Sequence, residues 1–535
     1  MADTLPTAFR SHWRKATAAL LLWGLVGNIA WAAPVEVTVA QGVLQGQAQA
    51  GYSEFLGIPF ATPPVGALRW IPPQPPAAWS GVRDATQFGS VCPQPSTNAA
   101  GQTILIGAED CLTLNIYAPT GARAAPVMVF IHGGSGIEGS GSFYDGSVLA
   151  QKSGAIVATI NYRLGALGQL AHPALSAEAA NHVSGNYSLA DQQAALGWVQ
   201  ANIAAFGGDA SNVMLFGQSA GGIGVCMALI SPASLGLFAK GIIESGPCLT
   251  PLPTLATAEA SGAGFATQAG CPDQSAACLR ALPVDAVLNP AIAQNAPVTG
   301  GWGFTQDGAL LPLEPADAFA TGRFNQVPMI IGTTHDEFRL AVAQVFDLRG
   351  HPLTGGAYAL VVAALAGAHA PAILAEYPLR DYASPDLAFA TIWTDYGFSC
   401  PSRTMTRLLA PQLPVFAYEF DDIAAPSPFT DPYMPMGAYH TAELLYVFQS
   451  GVTALAPQTT TASQLNPAQL ALSEQMIRYW SRFAASSDPN GAGDPSWPQY
   501  ADDGDADLLL APGATGIRTD FYRNHKCTFW AGPHP

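Results

Sequence analysis

The chain has 535 residues, a net charge of −17, 49% hydrophobic residues and only 11% charged ones. That much apolar material fills a large core and excludes a disordered chain. The acidic balance excludes a nucleic-acid binder, which needs a basic face, and describes a soluble, self-repelling molecule.

The first 32 residues read as an export signal. Arg10, Arg14 and Lys15 form a basic start, and residues 16–31 are uncharged, mostly apolar and too short to span a bilayer comfortably. Ala30-Trp31-Ala32 is a small-x-small cleavage site, and Pro34 disfavours a cut just before it, so cleavage is expected after Ala32. The alternative is an uncleaved N-terminal anchor. Cleavage would leave residues 33–535 as one domain, secreted or periplasmic. No other stretch reads as long and apolar enough to span a membrane, so no stable membrane insertion is expected. All eight cysteines (Cys92, Cys111, Cys226, Cys248, Cys271, Cys278, Cys400 and Cys527) lie after the cut. An even number in an exported chain suggests disulfides, although eight cysteines allow about 105 pairings. No CxxC pair is present to hold a structural zinc.

Residues 35–47 alternate like a pair of edge strands. Residues 59–79 are crowded with prolines, which remove backbone donors and fix an irregular surface segment. Residues 126–131 are wholly apolar, as a strand buried on both faces is, and run into His132-Gly133-Gly134. Residues 155–160 are a second such run. Residues 191–205 carry helical periodicity through Ala194, Leu196, Trp198, Val199 and Ile203. Residues 212–216 form a third buried strand that stops at Gly217, and 240–244 and 327–331 read as further strands. Strands alternating with helices predict an α/β fold, a central, mostly parallel sheet flanked by helices. The alanine-rich stretches 250–324 and 342–413 read as helical insertions over the sheet edge, and 451–466 as a polar loop. There is no internal repeat and no inter-domain linker.

Gly217-Gln218-Ser219-Ala220-Gly221 fits G-x-S-x-G between a buried strand and a helix. A sharp strand-to-helix turn lifts the serine hydroxyl above a sheet, and its strained backbone needs small flanking residues. A nucleophilic serine needs a base, an orienting acid and an oxyanion hole. In the α/β-hydrolase fold the chain order is serine, acid, histidine, which removes His132, His172 and His182 as the base. Of the later histidines, His440 stands on a loop leading into an apolar helix. The acid is expected just past the strand at 327–331, where Asp336 and Glu337 are adjacent. Backbone N–H groups after His132-Gly133, with that of Ala220, suit an oxyanion. The run Gly134-Ser-Gly136-Ile-Glu-Gly139 matches GxGxxG, but a dinucleotide site wants a helix at once and an acid about twenty residues on, and neither is evident.

At these residues the sequence resembles the type-B carboxylesterase family, the cholinesterase-related branch of the α/β hydrolases. The landmarks are Phe55-Leu-Gly-Ile-Pro-Phe-Ala61, Glu109-Asp-Cys-Leu-Thr-Leu-Asn115, Gly185-Asn-Tyr-Ser-Leu-Ala-Asp-Gln192, Phe206-Gly-Gly-Asp209 and Ser496-Trp-Pro498. The resemblance implies a serine carboxylic ester hydrolase with helical insertions over its active site, working through an acyl-enzyme and acting on a small-molecule ester with no metal or cofactor. It implies a triad of Ser219, Glu337 and His440, oxyanion donors at Gly134, Ser135 and Ala220, and Gln218 and Ser245 just behind them. It also implies disulfides Cys92–Cys111, Cys271–Cys278 and Cys400–Cys527, leaving Cys226 and Cys248 open. Three departures matter. Gln218 stands where many members have glutamate, Ser135-Gly136 replaces a Gly-Phe-like pair, and the segment between Cys92 and Cys111 lacks the aromatic residue with which cholinesterases bind a cation. A lipase for long-chain esters and a non-catalytic adhesion module are the alternatives. The intact triad argues against the second. The ester, its acyl length and the oligomeric state stay open.

Overall fold

The computed structural model describes residues 33–97, 102–288, 302–427, 429, 433–449, 464–501 and 504–532. The export signal and its cleavage site fall outside them, as does most of the polar loop at 451–466.

Fifteen strands are described: β1 (Ala33–Val39), β2 (Gly42–Gln49), β3 (Tyr52–Pro59), β4 (Val82–Asp84), β5 (Gln94–Thr97), β6 (Thr103–Ile106), β7 (Thr113–Pro119), β8 (Ala125–Ile131), β9 (Ile156–Ile160), β10 (Gly208–Gln218), β11 (Lys240–Glu244), β12 (Met329–Thr334), β13 (Val415–Phe420), β14 (Asp507–Leu510) and β15 (Gly516–Arg518). The main sheet runs β1-β2-β3-β7-β9-β8-β10-β11-β12-β13-β14-β15, with β4 beside β2, while β5 and β6 form a separate hairpin. Pairing is parallel from β9 through β14 and antiparallel at both ends. This is the α/β-hydrolase architecture expected from the alternating runs.

The central strands are apolar because both faces are covered. Met128, Phe130, Val157, Met214, Phe216, Ile242 and Ile330 enter one core. Val127, Val129, Ile131, Ala158, Val213, Leu215, Ile243 and Ile331 enter the other. Each such side chain contributes roughly 1.5–3 kcal/mol on leaving water. The two insertions are helical, as expected, but lean on different partners. Helix Leu255–Ala269 packs through Phe265 and Ala266 on Trp70, Leu167 and Leu170, away from the sheet core. The segment from helix Arg339–Val345 to helix Pro385–Thr394 joins the first core through Leu340, Val342 and Phe389.

One expectation needs correction. The 22 residues Gly355–Glu376 are long and apolar enough to match a membrane span by length and composition. They fold instead as helices Gly355–Ala366 and Ala370–Glu376, broken at Gly367–His369, with Tyr358, Val362 and Ile373 buried in the first core. Alanine and valine hide this apolar character from a reading that looks for one continuous helix.

All eight cysteines are paired. The three bridges implied by resemblance are present, and Cys226–Cys248 is a fourth, tying the helix after Ser219 to the loop after β11.

Candidate active site

Gly134, Ser135, Ser219, Ser245 and Glu337 lie just past the carboxyl ends of parallel strands, where an open α/β sheet presents ligands, while Gln218 ends β10 and Ala220 opens the helix after it. Ser219 follows β10, with Ile131 of β8 and Ile243 of β11 on either side of Gly217. The serine sits at φ 56° and ψ −123° and starts helix Ala220–Ile230, so the backbone reverses within one residue. A non-glycine residue in that region is strained, and the close neighbours explain how it is held. A Cβ at Gly221 would collide with the Ile131 carbonyl, so only glycine lets the helix start this near β8. The Ser219 N–H donates to the Glu244 carbonyl at 2.9 Å, which anchors the turn to β11.

The loop after β8 wraps beside the serine. A Cβ on Gly133 would come within 3.1 Å of Ser219 Cβ. Gly134 has φ 109°, and its carbonyl accepts from Ile137 and Glu138 at 3.0 Å, closing a tight turn. Among the described residues no protein group accepts from the N–H groups of Gly134, Ser135 or Ala220. His132 is scaffold: burial pushes its imidazole down to about 4, and it stacks on Tyr162 at 4.3 Å. The GxGxxG run is part of this loop and is followed by a short turn at Gly141–Phe143, not by a dinucleotide-binding helix.

Glu337 is fully buried after β12. Its Oε1 accepts from the Thr334 N–H at 2.9 Å, and its Oε2 lies 2.5 Å from His440 Nδ1. That contact fixes the imidazole tautomer with Nδ1–H toward the acid. Gln218, fully buried, sets its amide nitrogen against the imidazole, 3.3 Å from His440 Nε2 and 3.5 Å from Nδ1, so the ring rests beside the elbow. Phe398, on the single π-helical turn Asp395–Ser399, lies against the ring at 5.1 Å.

Of the two neighbouring acids, only Glu337 meets the imidazole. Asp336 bonds the opposite loop: its N–H donates to the Ala438 carbonyl and its Oδ2 accepts from the Ala438 N–H, both at 3.0 Å. Arg339 pairs with Asp336 Oδ1 at 2.7 Å and donates to the Pro435 carbonyl at 3.0 Å. Asp336 and Arg339 therefore strap the segment before His440 to the loop bearing Glu337. Nothing in the sequence marks Arg339 for this.

Beneath the site lies Ser245, where the resemblance implies it, together with two acids that the sequence does not mark. Ser245, at φ 51°, is buried with an unpartnered hydroxyl. Beside it lie Glu244, whose Oε1 accepts from Trp480 at 2.8 Å, and Glu443, neither of whose carboxyl oxygens has a partner among the described residues. Burial pushes Glu244 up to about 8 and Glu443 well above the carboxylate range, with Glu244 and Glu337 raising Glu443 further.

The match to known proteins runs the length of this frame. The model of the carboxylesterase family covers residues 33–530. Cocaine esterase of Homo sapiens is 34% identical over 510 residues, 90% of this chain and 87% of its own. Fumonisin B1 esterase of Sphingopyxis macrogoltabida is 35% identical over 459 residues, 83% of this chain and 81% of its own. The solved structure of PNB esterase superposes with a TM-score of 0.74 at 32% identity, covering 92% of this chain and 99% of that one. Family match, relatives and solved structure thus agree over nearly the whole of residues 33–530, and the chain belongs to the carboxylesterase family as an ester-hydrolysing enzyme.

Proposed function

We propose that this carboxylesterase works through a covalent acyl-enzyme on Ser219, in an oxidising compartment outside the cytoplasm. The observation that carries the reading is the joined arrangement of a strained serine elbow, an imidazole reached from it through Gln218, and a buried Glu337 at 2.5 Å from that imidazole. Ser219 Oγ attacks the ester carbonyl while His440 takes its proton. Charge on the carbonyl oxygen is met by the N–H groups of Gly134, Ser135 and Ala220, which have no competing protein acceptor. His440 returns the proton to the departing alkoxide, the alcohol leaves, and water activated by the same imidazole releases the acid. Glu337 holds the ring and stabilises its charged form. Four disulfides support an extracellular or periplasmic location, where they persist.

Ser219→Ala is expected to lower kcat by roughly 10⁴–10⁶ with the fold intact, because triad members act as a unit. An organophosphonate should label Ser219. A label elsewhere, or near-full activity of the variant, would move the site. Rates across an acyl-chain series, above and below the solubility limit, separate an esterase from a lipase.

A further inference from the structure

Behind the loop that carries Glu337, side chains from three distant parts of the chain converge. His335 follows β12, Glu419 is the fifth residue of β13, and His525 lies two residues before the Cys527 that is bridged to Cys400. One ligand atom from each lies within 4.8 Å of the others. Each imidazole is already held by a carboxylate on its Nδ1: His335 by Asp336 Oδ1 at 3.0 Å and His525 by Asp395 Oδ1 at 2.6 Å. The Nε2 of His525 meets Glu419 Oε1 at 2.5 Å. A carboxylate on Nδ1–H, the usual outer support of metal-bound histidine, leaves Nε2 of His335 to accept, whereas Nε2–H of His525 donates to Glu419 and must give up that proton to bind a metal.

We propose that His335, Glu419 and His525 bind one divalent transition-metal ion, zinc being the expected occupant, through Nε2 of each ring and Oε1 of Glu419. Two imidazoles and a carboxylate suit zinc, whereas calcium and magnesium take oxygen ligands. Tetrahedral zinc holds its ligands about 3.3 Å apart, so His335 closes in by roughly an ångström and Glu419 parts slightly from His525. The His335 side chain is 38% exposed, which gives the ion an entry path and a water its fourth position. The carboxylates of Asp336, Asp395, Glu419 and Asp421 and the guanidiniums of Arg339 and Arg518 face this cluster.

Protons are the competitor. The Nε2–H of His525 donates to Glu419 Oε1 and must leave before a metal binds there, so the metal's affinity rises with pH. The bound ion would pin β13 and the C-terminal segment to the Glu337 loop, a structural role apart from Ser219 and independent of the acyl-enzyme reading.

The test is zinc titration of the chelator-stripped full chain against a chromophoric indicator. The expected result is one equivalent bound at pH 8 with a Kd below about 1 μM, weakening about 100-fold or more at pH 6 as at least one proton per metal is exchanged. His335→Ala should lose about 100-fold in affinity or more and the zinc-induced rise in thermal midpoint, while His182→Ala, an exposed control, keeps both. No saturable equivalent at pH 8, or wild-type affinity in His335→Ala, overturns the site. Esterase turnover is not a readout, so a failure here leaves the role of Ser219 untouched.

Discussion

Two buried clusters of charge flank the ends of β12 and β13, and they solve burial in opposite ways. Under the Ser219 elbow, Glu244 and Glu443 have carboxyl oxygens without partners among the described residues, and burial raises both, Glu244 to about 8, with Glu244 and Glu337 adding to the rise of Glu443. Toward the C-terminus, Glu419 is equally buried, yet His525, His335 and Arg518 outweigh that burial and hold it down to about 2. Depth is the same; partners decide the charge. The first cluster is therefore a neutral floor that adds little field beneath Glu337 and His440. The second is an ionised knot that ties the C-terminal segment to the same loops.

Among the buried acids, the largest effect should come from Glu337, which joins neither pattern. Glu337 touches the imidazole, and an amide cannot stabilise its charged form, so Glu337→Gln is expected to lower kcat by roughly 10³–10⁴. Asp336→Asn should instead lower the thermal midpoint more than kcat, since Asp336 straps the Ala438 backbone rather than the ring. Measuring both quantities for both variants sharpens the assignment, and the reverse pattern would give the triad to Asp336.

Next, one conservative change can be made in each cluster. Glu419→Gln leaves Arg518 and a charged His525 short of their counter-ion inside the fold, a loss of about 3–5 kcal/mol by denaturant titration at pH 7. Glu443→Gln replaces a carboxyl whose charge burial already disfavours and should change stability by less than about 1 kcal/mol. Equal losses in the two variants would break the comparison.

The pH dependence separates the buried acids Glu244 and Glu419 by sign. Folded Glu244 keeps a proton that the unfolded chain releases above pH 4.5, so stability falls as pH rises from 4.5 to about 8, by about 1.4 kcal/mol per unit. Glu244→Gln should flatten that slope. Glu419 works the other way: its contribution is present above 4.5 and lost as pH falls toward about 2. The raised His525 adds stability that is complete below 6.5 and lost as pH climbs to about 10. Unfolding free energies measured at intervals from pH 3 to 9, for wild type and both glutamine variants, read all three.

Much of this fold was legible because the central strands are apolar on both faces. The runs at 126–131, 155–160 and 212–216 became β8, β9 and the end of β10, and the elbow fell where G-x-S-x-G requires it. Among the strands the sequence did not mark, β7 and β13 lie within the sheet beside predicted strands, and the reason they were missed is chemical. Asn115 interrupts β7 and Glu419 interrupts β13, so neither looks like a buried run. Both are tolerated inside because partners far away in sequence satisfy them: Gly57 and Thr159 for Asn115, Arg518 and His525 for Glu419. The same non-local pairing hid the Asp336–Arg339 strap and the Cys226–Cys248 bridge, because each depends on which loop ends meet at the sheet edge.

The smallest expected effect concerns charge on the substrate. A quaternary ammonium gains about 1–2 kcal/mol from a desolvated aromatic face, a factor of roughly 5–30. In this chain the segment between Cys92 and Cys111 has no aromatic residue. It forms the β5–β6 hairpin, pinned to the loop after β8 by Gln94, which bonds both the N–H and the carbonyl of Gly139 at 2.8 and 2.9 Å. Aromatic rings do stand near His440, but their faces are engaged: Phe338 stacks on Trp393 at 5.3 Å, and Phe398 rests against the imidazole itself. Gln218 adds no negative charge beside the serine. The net charge of −17 draws cations from a distance, but physiological salt screens that attraction within about 8 Å. A choline ester and its neutral isostere should therefore have kcat/KM values within about fivefold of each other at 0.15 M salt, the lower end of what one such ring supplies. A choline preference above about thirtyfold would mean that a cation-binding face exists after all, and the Phe338–Trp393 stack, opened by the substrate, would be the first place to look.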